Sequence, residues 1–264
     1  MQKQIEGMKP WFHNIHLPDG SQTAPAHNLG DFPAYKWEEI KHLIPEDLSG
    51  KTVLDIGCNA GFYSIEMARR NAHVTAIDID DHYLKQARWV AAQFGLQKQI
   101  TFHRMQVYDL AKTDWQFDIV LFLGVFYHLR YPLLAMDILS EKIGTHLVFQ
   151  SLSLLQKKEH ASISDFSFNK RRLLESHGWP SMAFIEQSFS GDPTNWWVPN
   201  AAAIKAICRS CGLEFIEKAG KETYFFERMQ ERIPVAQSWN RSEYLSAIGC
   251  DWSNEVAKKT AQKK

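Results

Sequence analysis

The chain lacks the features that mark membrane-spanning or disulfide-stabilised proteins. It has no run of about 18 apolar residues, the length needed to cross a bilayer as a helix. The polar N-terminus (Met1–Lys9) leads into no apolar signal segment. The chain has only 4 cysteines, and they follow no disulfide pattern. We therefore expect a soluble, cytoplasmic protein with reduced thiols and no membrane partner.

An excess of charge is also missing, since 30 Lys and Arg balance 30 Asp and Glu. Such a chain has no overall attraction for nucleic acid, although a local basic patch can still form. Cys208 and Cys211 form a C-x-x-C pair, but no second pair or His pair accompanies it. The pair lies in a helical pattern, so we expect buried helix side chains and no metal site.

What the sequence does contain is a regular alternation of short apolar runs and helical patterns. Strands are predicted at 52–56, 74–78, 100–105, 117–123 and 146–152, with helices over 62–71, 82–94 and 131–139. A further helix (199–211) and two strands (213–217 and 224–228) follow. This alternation predicts an α/β fold: a doubly wound, mostly parallel Rossmann-like sheet with helices on both faces.

Segments outside this alternation suggest three additions to the domain. Residues 1–50, rich in aromatics, His and Pro, are interpreted as an N-terminal extension that covers the active site. Within the domain (51–230), residues 154–199 form a lid insertion at the carboxyl end of a central strand, where doubly wound sheets bind ligands. The tail (231–264) ends in a basic group that we expect to be solvated and frayed. That group contains Lys258, Lys259, Lys263 and Lys264.

The segment from Val53 to Ser64 combines a strand, a turn and the start of a helix. Gly57 and Gly61 let the backbone approach a ligand where a Cβ would clash, or adopt a positive φ. The amides at the helix start are expected to point toward that ligand. A second strand ends in Asp78, which can accept hydrogen bonds from both ribose hydroxyls of an adenosyl group.

A dinucleotide-binding site uses the same geometry and is the competing interpretation. Its fingerprint is G-x-G-x-x-G, but Asn59 stands where the second glycine would let a pyrophosphate press on the backbone. Asp55, inside the strand, can reach the turn amides or, through water, the ammonium of a methionine moiety. It would lie poorly beside a pyrophosphate. The motif therefore favours S-adenosylmethionine over a dinucleotide.

Several stretches resemble a known family. Asp55-Ile-Gly-Cys-Asn-Ala-Gly61, with Ala76-Ile-Asp78 and Phe117-Asp118-Ile-Val, is similar to the cofactor half of class I S-adenosylmethionine-dependent methyltransferases. Gly124-Val-Phe-Tyr127-His128-Leu-Arg130-Tyr-Pro132, Asn195-Trp-Trp-Val-Pro199 and Pro10-Trp11 resemble the subgroup of the tRNA wobble-uridine (5-oxyacetyl-uridine) carboxymethyltransferase. The resemblance implies a seven-stranded sheet whose last two strands form an antiparallel edge. It also implies S-adenosylmethionine as cofactor and S-adenosylhomocysteine (SAH) as product.

Site residues follow from the motif and from the resemblance together. The predicted cofactor-binding residues are Asp55, Gly57, Cys58, Asn59, Gly61, Tyr63, Asp78, Ile79, Asp109, Leu123 and Gly124. His128 is the candidate base or acceptor-orienting group and Tyr127 the residue that shapes the methyl pocket, because both follow the fourth strand. The candidate acceptor contacts are His13, Arg130, Trp196 and Trp197, of which the two tryptophans equally suit packing of the lid.

One departure from the tRNA enzyme bears on the reaction. Where that enzyme has a basic pair that binds the extra carboxylate of its cofactor, this chain has Phe12 and His13. A weakly basic His is a poor partner for a carboxylate, so we expect transfer of a plain methyl group. The leading interpretation is methylation of a hydroxyl or amine on a small molecule. The alternatives are a tRNA wobble-uridine methyl- or carboxymethyltransferase and a catalytically silent cofactor-binding protein. An acceptor cavity closed by residues 154–199 would favour the silent protein.

Overall fold

A computed structural model describes residues 1–156, 158–163 and 165–255. Seven strands form the main sheet, and two short ones form a separate hairpin. The strands are β1 (Thr52–Ile56), β2 (His73–Asp78), β3 (Ile100–Arg104), β4 (Phe117–Leu123), β5 (Ile143–Gln150), β6 (Met182–Phe184), β7 (Trp197–Pro199), β8 (Leu213–Ala219) and β9 (Thr223–Arg228).

The main sheet has the order β3-β2-β1-β4-β5-β9-β8. The pairs among the first five strands are parallel, while β9 pairs antiparallel with both β5 and β8. The predicted seven-stranded, mostly parallel sheet with an antiparallel edge is confirmed. Since β1 lies between β2 and β4, the strand order reverses beside it. Ligands bind at this kind of crevice in doubly wound sheets.

Helices cover both faces of the sheet, as the sequence predicts. They are α1 (Gln2–Gly7), α2 (Ala34–Ile40), α3 (Phe62–Ala68), α4 (Asp81–Gln93), α5 (Pro132–Ser140), α6 (Ala201–Ser210), α7 (Val235–Ser238) and α8 (Arg241–Ala247). Successive residues of β1 divide between two hydrophobic cores: Val53 packs with α2, α3 and α4, and Leu54 with α5 and α6. This burial on both sides explains why the central strands are continuously apolar.

Some predicted bounds differ from the structure. The helix predicted over 62–71 ends at Ala68, and Asn71 takes a positive φ of 71°. The strand predicted over 146–152 begins three residues earlier, at Ile143, because this part of β5 pairs with Phe117. Its Gly144 and Thr145 give no strand signal in the sequence. The hairpin of β6 and β7 was not predicted, since three residues per strand are too few for an alternating pattern.

The N-terminal extension packs on the helices that follow β1 and β2. The Gln86 side-chain amide of α4 donates to the carbonyls of Met8 and Pro10 at 2.6 and 2.8 Å. The rings of Trp11 and Trp89 lie 5.9 Å apart, with Trp11 buried. The extension is therefore held in place by the first two βα units.

The tail packs against the opposite face through α7 and α8, where Tyr244 is buried. The basic group predicted to be frayed lies outside the described residues. Within the described ranges, no helix is both long and apolar enough for a membrane span. The same ranges contain no group of three or more His, Cys, Asp or Glu side chains arranged to hold a metal. Cys208 and Cys211 are buried free thiols on and just after α6.

Candidate functional site

The crevice lies at the carboxyl ends of β1 and β4, where the following segments diverge. The turn after β1 begins at Gly57, whose φ of +68° is left-handed. A Cβ at this position would lie 2.5 Å from Val125 Cγ2 on the segment after β4. Gly57 is itself exposed, so the floor of the crevice is open and can be formed only by a residue without a side chain.

Hydrogen bonds fasten the turn to the neighbouring strand. The Gly57 and Cys58 amides both donate to the Ile77 carbonyl of β2, at 2.8 and 3.1 Å, and the Gly61 amide donates to the Cys58 carbonyl at 2.8 Å. The Cys58 side chain is buried, and burial raises the pKa of its thiol. Three amides of the turn therefore have partners inside the protein.

Asp78, at the end of β2, faces the same turn. Its Oδ2 accepts from the Asn59 amide and its Oδ1 from the Asp80 amide, both at 2.9 Å. The residue is 9% exposed, and burial raises the pKa of its carboxyl. Each carboxylate oxygen has a further lone pair, so both can still accept from the hydroxyls of a ribose.

No amide of this turn remains for an anionic ligand. The last one, of Ala60, donates to the Asn59 side-chain oxygen at 2.7 Å. The amides expected to face the ligand are those at the start of α3, which follows this turn, and their role remains a prediction. Because Asn59 occupies the second glycine position of a dinucleotide fingerprint, the turn favours an adenosyl group over a dinucleotide.

Asp55 is buried at the carboxyl end of β1, with 2% of its surface exposed. Its carboxylate accepts from Ser64 Oγ at 2.5 Å, in the first turn of α3, and makes no contact with the turn amides. Burial raises the pKa of Asp55 to about 6. Burial, followed by the negative charge of Asp55, also raises the pKa of Tyr63 on the same helix. A positive ligand group beside Asp55 would offset the cost of burying its charge.

The other predicted cofactor residues lie at or just after the carboxyl ends of β2, β3 and β4. Ile79 directly follows β2 and is exposed, and Leu123 ends β4. Asp109 belongs to a 3₁₀ turn (Val107–Lys112), where its carboxylate accepts from Lys112 Nζ at 2.6 Å. The cofactor-binding roles of these residues remain predictions.

Two residues that the sequence analysis did not select also border the turn. Val125 lies over Gly57, as described above. The Tyr83 hydroxyl hydrogen-bonds the Asn59 side chain, and burial raises the pKa of this phenol. No local pattern distinguishes Tyr83 from other residues of α4.

The segment after β4 forms the side of the crevice where the acceptor is predicted to bind. A Cβ on Gly124 would lie 3.7 Å from Tyr127 Oη and 3.5 Å from Gln150 Oε1 at the end of β5. Burial, followed by the charges of Glu222 and Asp192, raises the pKa of Tyr127 to about 12. Neither Gln150 nor Glu222 was selected from the sequence. A polar residue that ends a buried strand, as Gln150 does, is the one signal that could have indicated them.

His128 points to the lid insertion rather than to its own loop. Its Nδ1 lies 2.9 Å from Thr194 Oγ1 and 3.8 Å from Asp192 Oδ2. Burial lowers the pKa of His128, so its imidazole is neutral near pH 7. A neutral imidazole can accept a proton, and here it also connects the segment after β4 to the insertion.

The insertion is attached to the same segment at two further points. The Trp196 amide donates to the Tyr127 carbonyl at 2.8 Å. The Arg130 guanidinium carbon lies 5.0 Å from the ring centre of Phe184 and 4.7 Å from that of Trp196. Trp197 packs against Phe184 at 5.0 Å between ring centres. Arg130 and both tryptophans therefore take part in packing of the lid, and their contact with an acceptor remains a prediction.

His13 lies within the N-terminal extension, with only 5% of its surface exposed. Its ring is surrounded by Phe12, Phe32, Phe62 and Tyr63. Burial lowers the pKa of His13 to about 3. The side chain is therefore neutral and cannot form an ion pair with an anionic acceptor or cofactor.

The fold and the crevice agree with the comparisons to known proteins. The chain belongs to the family described as "Methyltransferase domain", which it matches over residues 47–222, a range that contains the crevice. This match, together with the strand order of the sheet, confirms the predicted class I methyltransferase domain.

The relatives include enzymes with different acceptors. The tRNA U34 carboxymethyltransferase of Helicobacter pylori (strain G27) is 27% identical over 187 residues, which cover 69% of this chain and 62% of the relative. The ubiquinone biosynthesis O-methyltransferase of Psychrobacter cryohalolentis is 41% identical over 91 residues, 34% of this chain and 35% of the relative. The chain thus spans less than two thirds of the length of either relative. The predicted similarity to the tRNA enzyme is confirmed.

Solved structures share the fold at low sequence identity. The N-terminal domain of EvdMO1, crystallised with SAH and D-fucose, aligns with a TM-score of 0.59 and 14% identity, over 86% of this chain and 93% of that one. Magnesium protoporphyrin IX methyltransferase (ChlM) from Synechocystis PCC 6803, with bound SAM, aligns with a TM-score of 0.50 and 16% identity, over 74% and 78% of the two chains.

Proposed function

We propose that this methyltransferase transfers a plain methyl group to a hydroxyl or amine of a small-molecule acceptor. The observation that carries the proposal is the attachment of the insertion beside Gly124, through the Trp196–Tyr127 hydrogen bond and the stacking of Arg130. This holds the aromatic side chains of Phe184 and Trp196 against the segment that follows β4. Concave sites bounded by aromatic side chains with a few polar groups suit small molecules.

When bound, S-adenosylmethionine supplies a methyl carbon activated by the adjoining sulfonium. The contribution of the protein is to hold the acceptor in line and to exclude water. Because its pKa is raised to about 12, the Tyr127 phenol stays protonated and can donate a hydrogen bond to the acceptor. His128, neutral and partly buried, is the orienting group or base of this proposal.

A tRNA acceptor is the second candidate. It is favoured by the Helicobacter pylori relatives and by the exposed basic run of Lys170, Arg171 and Arg172 on the insertion. The neutral, buried His13 argues against the carboxymethyl version of that reaction, since it offers no charge to a carboxylated cofactor. Methylation of tRNA would require a basic surface continuous with the crevice and would show binding that falls steeply with salt.

The silent cofactor-binding protein is the weakest of the three. An acceptor cavity closed by the insertion would favour it, but Gly57 is exposed and Gly124 is only partly buried. The space above β1 and β4 is thus open to an acceptor. We further propose a cytoplasmic location, supported by the four free cysteines of this chain.

The test is methyl transfer from S-adenosylmethionine with a labelled methyl group. Separate reactions contain a small-metabolite extract or bulk tRNA, and Asp78→Asn, which removes the charge proposed to bind the ribose, is the control. We expect label in the small-metabolite fraction only, and strongly reduced label with the variant. Label in tRNA alone would indicate tRNA as the acceptor in place of a small molecule. Tight cofactor binding without label in either fraction would favour the silent protein.

A further inference from the structure

A carboxylate at the acceptor side of the crevice, Glu222, has no role in the mechanism so far. It directly precedes β9, whose Thr223 pairs with Gln150 at the carboxyl end of β5. The antiparallel return of the chain therefore brings Glu222 to the edge of the sheet that also carries Gly124. Its side chain is 23% exposed, so it is partly open to solvent.

Glu222 is associated with Gln150 and Tyr127, the two side chains that border Gly124. Gln150 Nε2 donates to Glu222 Oε2 at 3.4 Å, while Gln150 Oε1 borders Gly124. Tyr127 Oη borders Gly124 from another direction, and the charge of Glu222 is the largest contribution after burial to the raised pKa of Tyr127. The carboxylate is therefore close to the space beside Gly124, which is the predicted methyl pocket.

The remaining contacts hold Glu222 in place without fully neutralising it. The Ser153 amide donates to Glu222 Oε1 at 3.3 Å. Lys36 Nζ, on α2 of the N-terminal extension, lies 3.8 Å from Glu222 Oε2. This distance is longer than a hydrogen bond, and both side chains are partly exposed, so the ion pair is a weak one. Glu222 is thus a positioned anion with room for another partner.

The imidazole of His128 is held by the insertion. Its Nδ1 is engaged by Thr194 of the insertion. Tyr127, protonated because of its raised pKa, can donate a hydrogen bond but cannot act as a base. Glu222, in contact with the Gln150 side chain that borders Gly124, has a carboxylate that could accept the proton.

We infer that Glu222 contacts the acceptor nucleophile, accepts its proton, and selects acceptors whose nucleophile carries hydrogen, such as an alcohol, a phenol or an amine. This inference rests on the proposed methyl transfer. As the acceptor atom forms its bond to the methyl carbon, the carbon–sulfur bond breaks and its electron pair stays on sulfur. The proton leaves the acceptor for the Glu222 carboxylate and passes from there to water.

The negative charge of Glu222 should also affect adenosyl ligands that bind in the absence of an acceptor. An anion beside the methyl pocket attracts a positive group at the position of the methyl and repels a negative one. Sinefungin, an adenosyl analogue with a primary amine at the place of the transferred methyl, is therefore the direct probe. SAH, which has neither methyl nor amine there, is the reference ligand.

The experiment is calorimetry of sinefungin and SAH with the full chain and with Glu222→Gln, Glu222→Asp and Glu217→Gln. Glu217, exposed on β8, is the matched control. We expect the native chain to prefer sinefungin over SAH by at least about tenfold, and Glu222→Gln to reduce that ratio at least about fivefold. Glu222→Asp should keep most of the preference, and Glu217→Gln all of it.

Two outcomes would overturn the inference. One is an unchanged ratio in Glu222→Gln. The other is an equal loss of affinity for both ligands in that variant, which would indicate a structural role only. The proposed function fails on a different result, the absence of labelled methyl transfer to small molecules. The two failures are distinguishable because the affinity ratio of sinefungin and SAH is measured without an acceptor.

Discussion

Replacement of Gly57 by alanine should destabilise the protein and weaken cofactor binding. A left-handed conformation such as the φ of +68° costs a residue with a Cβ about 1–2 kcal/mol. The Cβ would lie 2.5 Å from Val125 Cγ2, an overpacking that costs about 1–3 kcal/mol. Alanine restricts the unfolded chain more than glycine does, and this offsets up to about 1 kcal/mol of the lost stability. The expected net loss is about 1–5 kcal/mol, with a fall in Tm of about 2–4 °C for each kcal/mol.

A second glycine separates the two contributions. Gly95 has a similar φ of +71°, but a Cβ there would meet nothing within 4 Å. Gly95→Ala should therefore report the backbone cost alone, about 1 kcal/mol. In the double variant Gly57→Ala/Val125→Ala the clashing methyl group is absent. Most of the stability that Gly57→Ala loses beyond the backbone cost should then be recovered. This recovery corresponds to a coupling energy between positions 57 and 125 of at least about 1 kcal/mol.

The assay is chemical denaturation of the native chain and of Gly57→Ala, Gly95→Ala, Val125→Ala and the double variant, together with calorimetry of SAH. Gly57→Ala should bind SAH at least about tenfold more weakly than the native chain, because Val125 must move into the crevice or the turn must shift. Gly95→Ala should bind normally. Equal stability of Gly57→Ala and Gly95→Ala, with native affinity for SAH in both, would refute the reasoning.

Three further predictions concern titration, thiol exposure and the lid. The pKa of Asp55, about 6, lies above the ordinary carboxyl value, so the folded chain binds the extra proton between about pH 4 and 6. Without ligand, the contribution of Asp55 to stability should rise as pH falls through this range, and SAH binding at pH 6 should release a fraction of a proton, which calorimetry in buffers of different ionisation heat detects. Asp55→Asn should remove the proton release and reduce the rise in stability, to which Asp137 also contributes because burial raises its pKa to about 6. Iodoacetamide should modify only Cys250 in the native protein, because the other three cysteines are buried, and all four after denaturation. Mass spectrometry would contradict this prediction if it showed that Cys58 reacts in the native state. His128→Gln should lower turnover far more than cofactor affinity. If Thr194→Val shows the same defect, the effect is due to attachment of the lid. Unchanged turnover in His128→Gln would remove His128 from the mechanism.

The parts of the fold that depend on short-range order were predictable from the sequence. The strand, turn and helix around Gly57 are specified by neighbouring residues, and the acid at Asp78 marks the next strand end. The antiparallel edge was expected from the resemblance and not from periodicity. The start of β5 was not predictable, since Gly144 belongs to the strand only through its pairing partner β4.

The acceptor side could not be derived because its members come from distant parts of the chain. Glu222 reaches Gln150 through the return of β9, and Lys36 reaches Glu222 from the N-terminal extension. The distribution of the turn hydrogen bonds was also unpredictable. Whether Asp55 accepts from the turn or from Ser64 depends on side-chain orientation, which the motif leaves open.

The insertion is fastened to one short segment of the chain, and this has a consequence for substrate range. Tyr127, His128 and Arg130 each hold the insertion, and Tyr127 also borders Gly124 at the predicted methyl pocket. A bulky acceptor that displaces the insertion should therefore also shift the residues that shape this predicted pocket. Engineering for larger acceptors by loosening these contacts should slow transfer to the native one, because entry and alignment depend on the same five residues of backbone, 126–130.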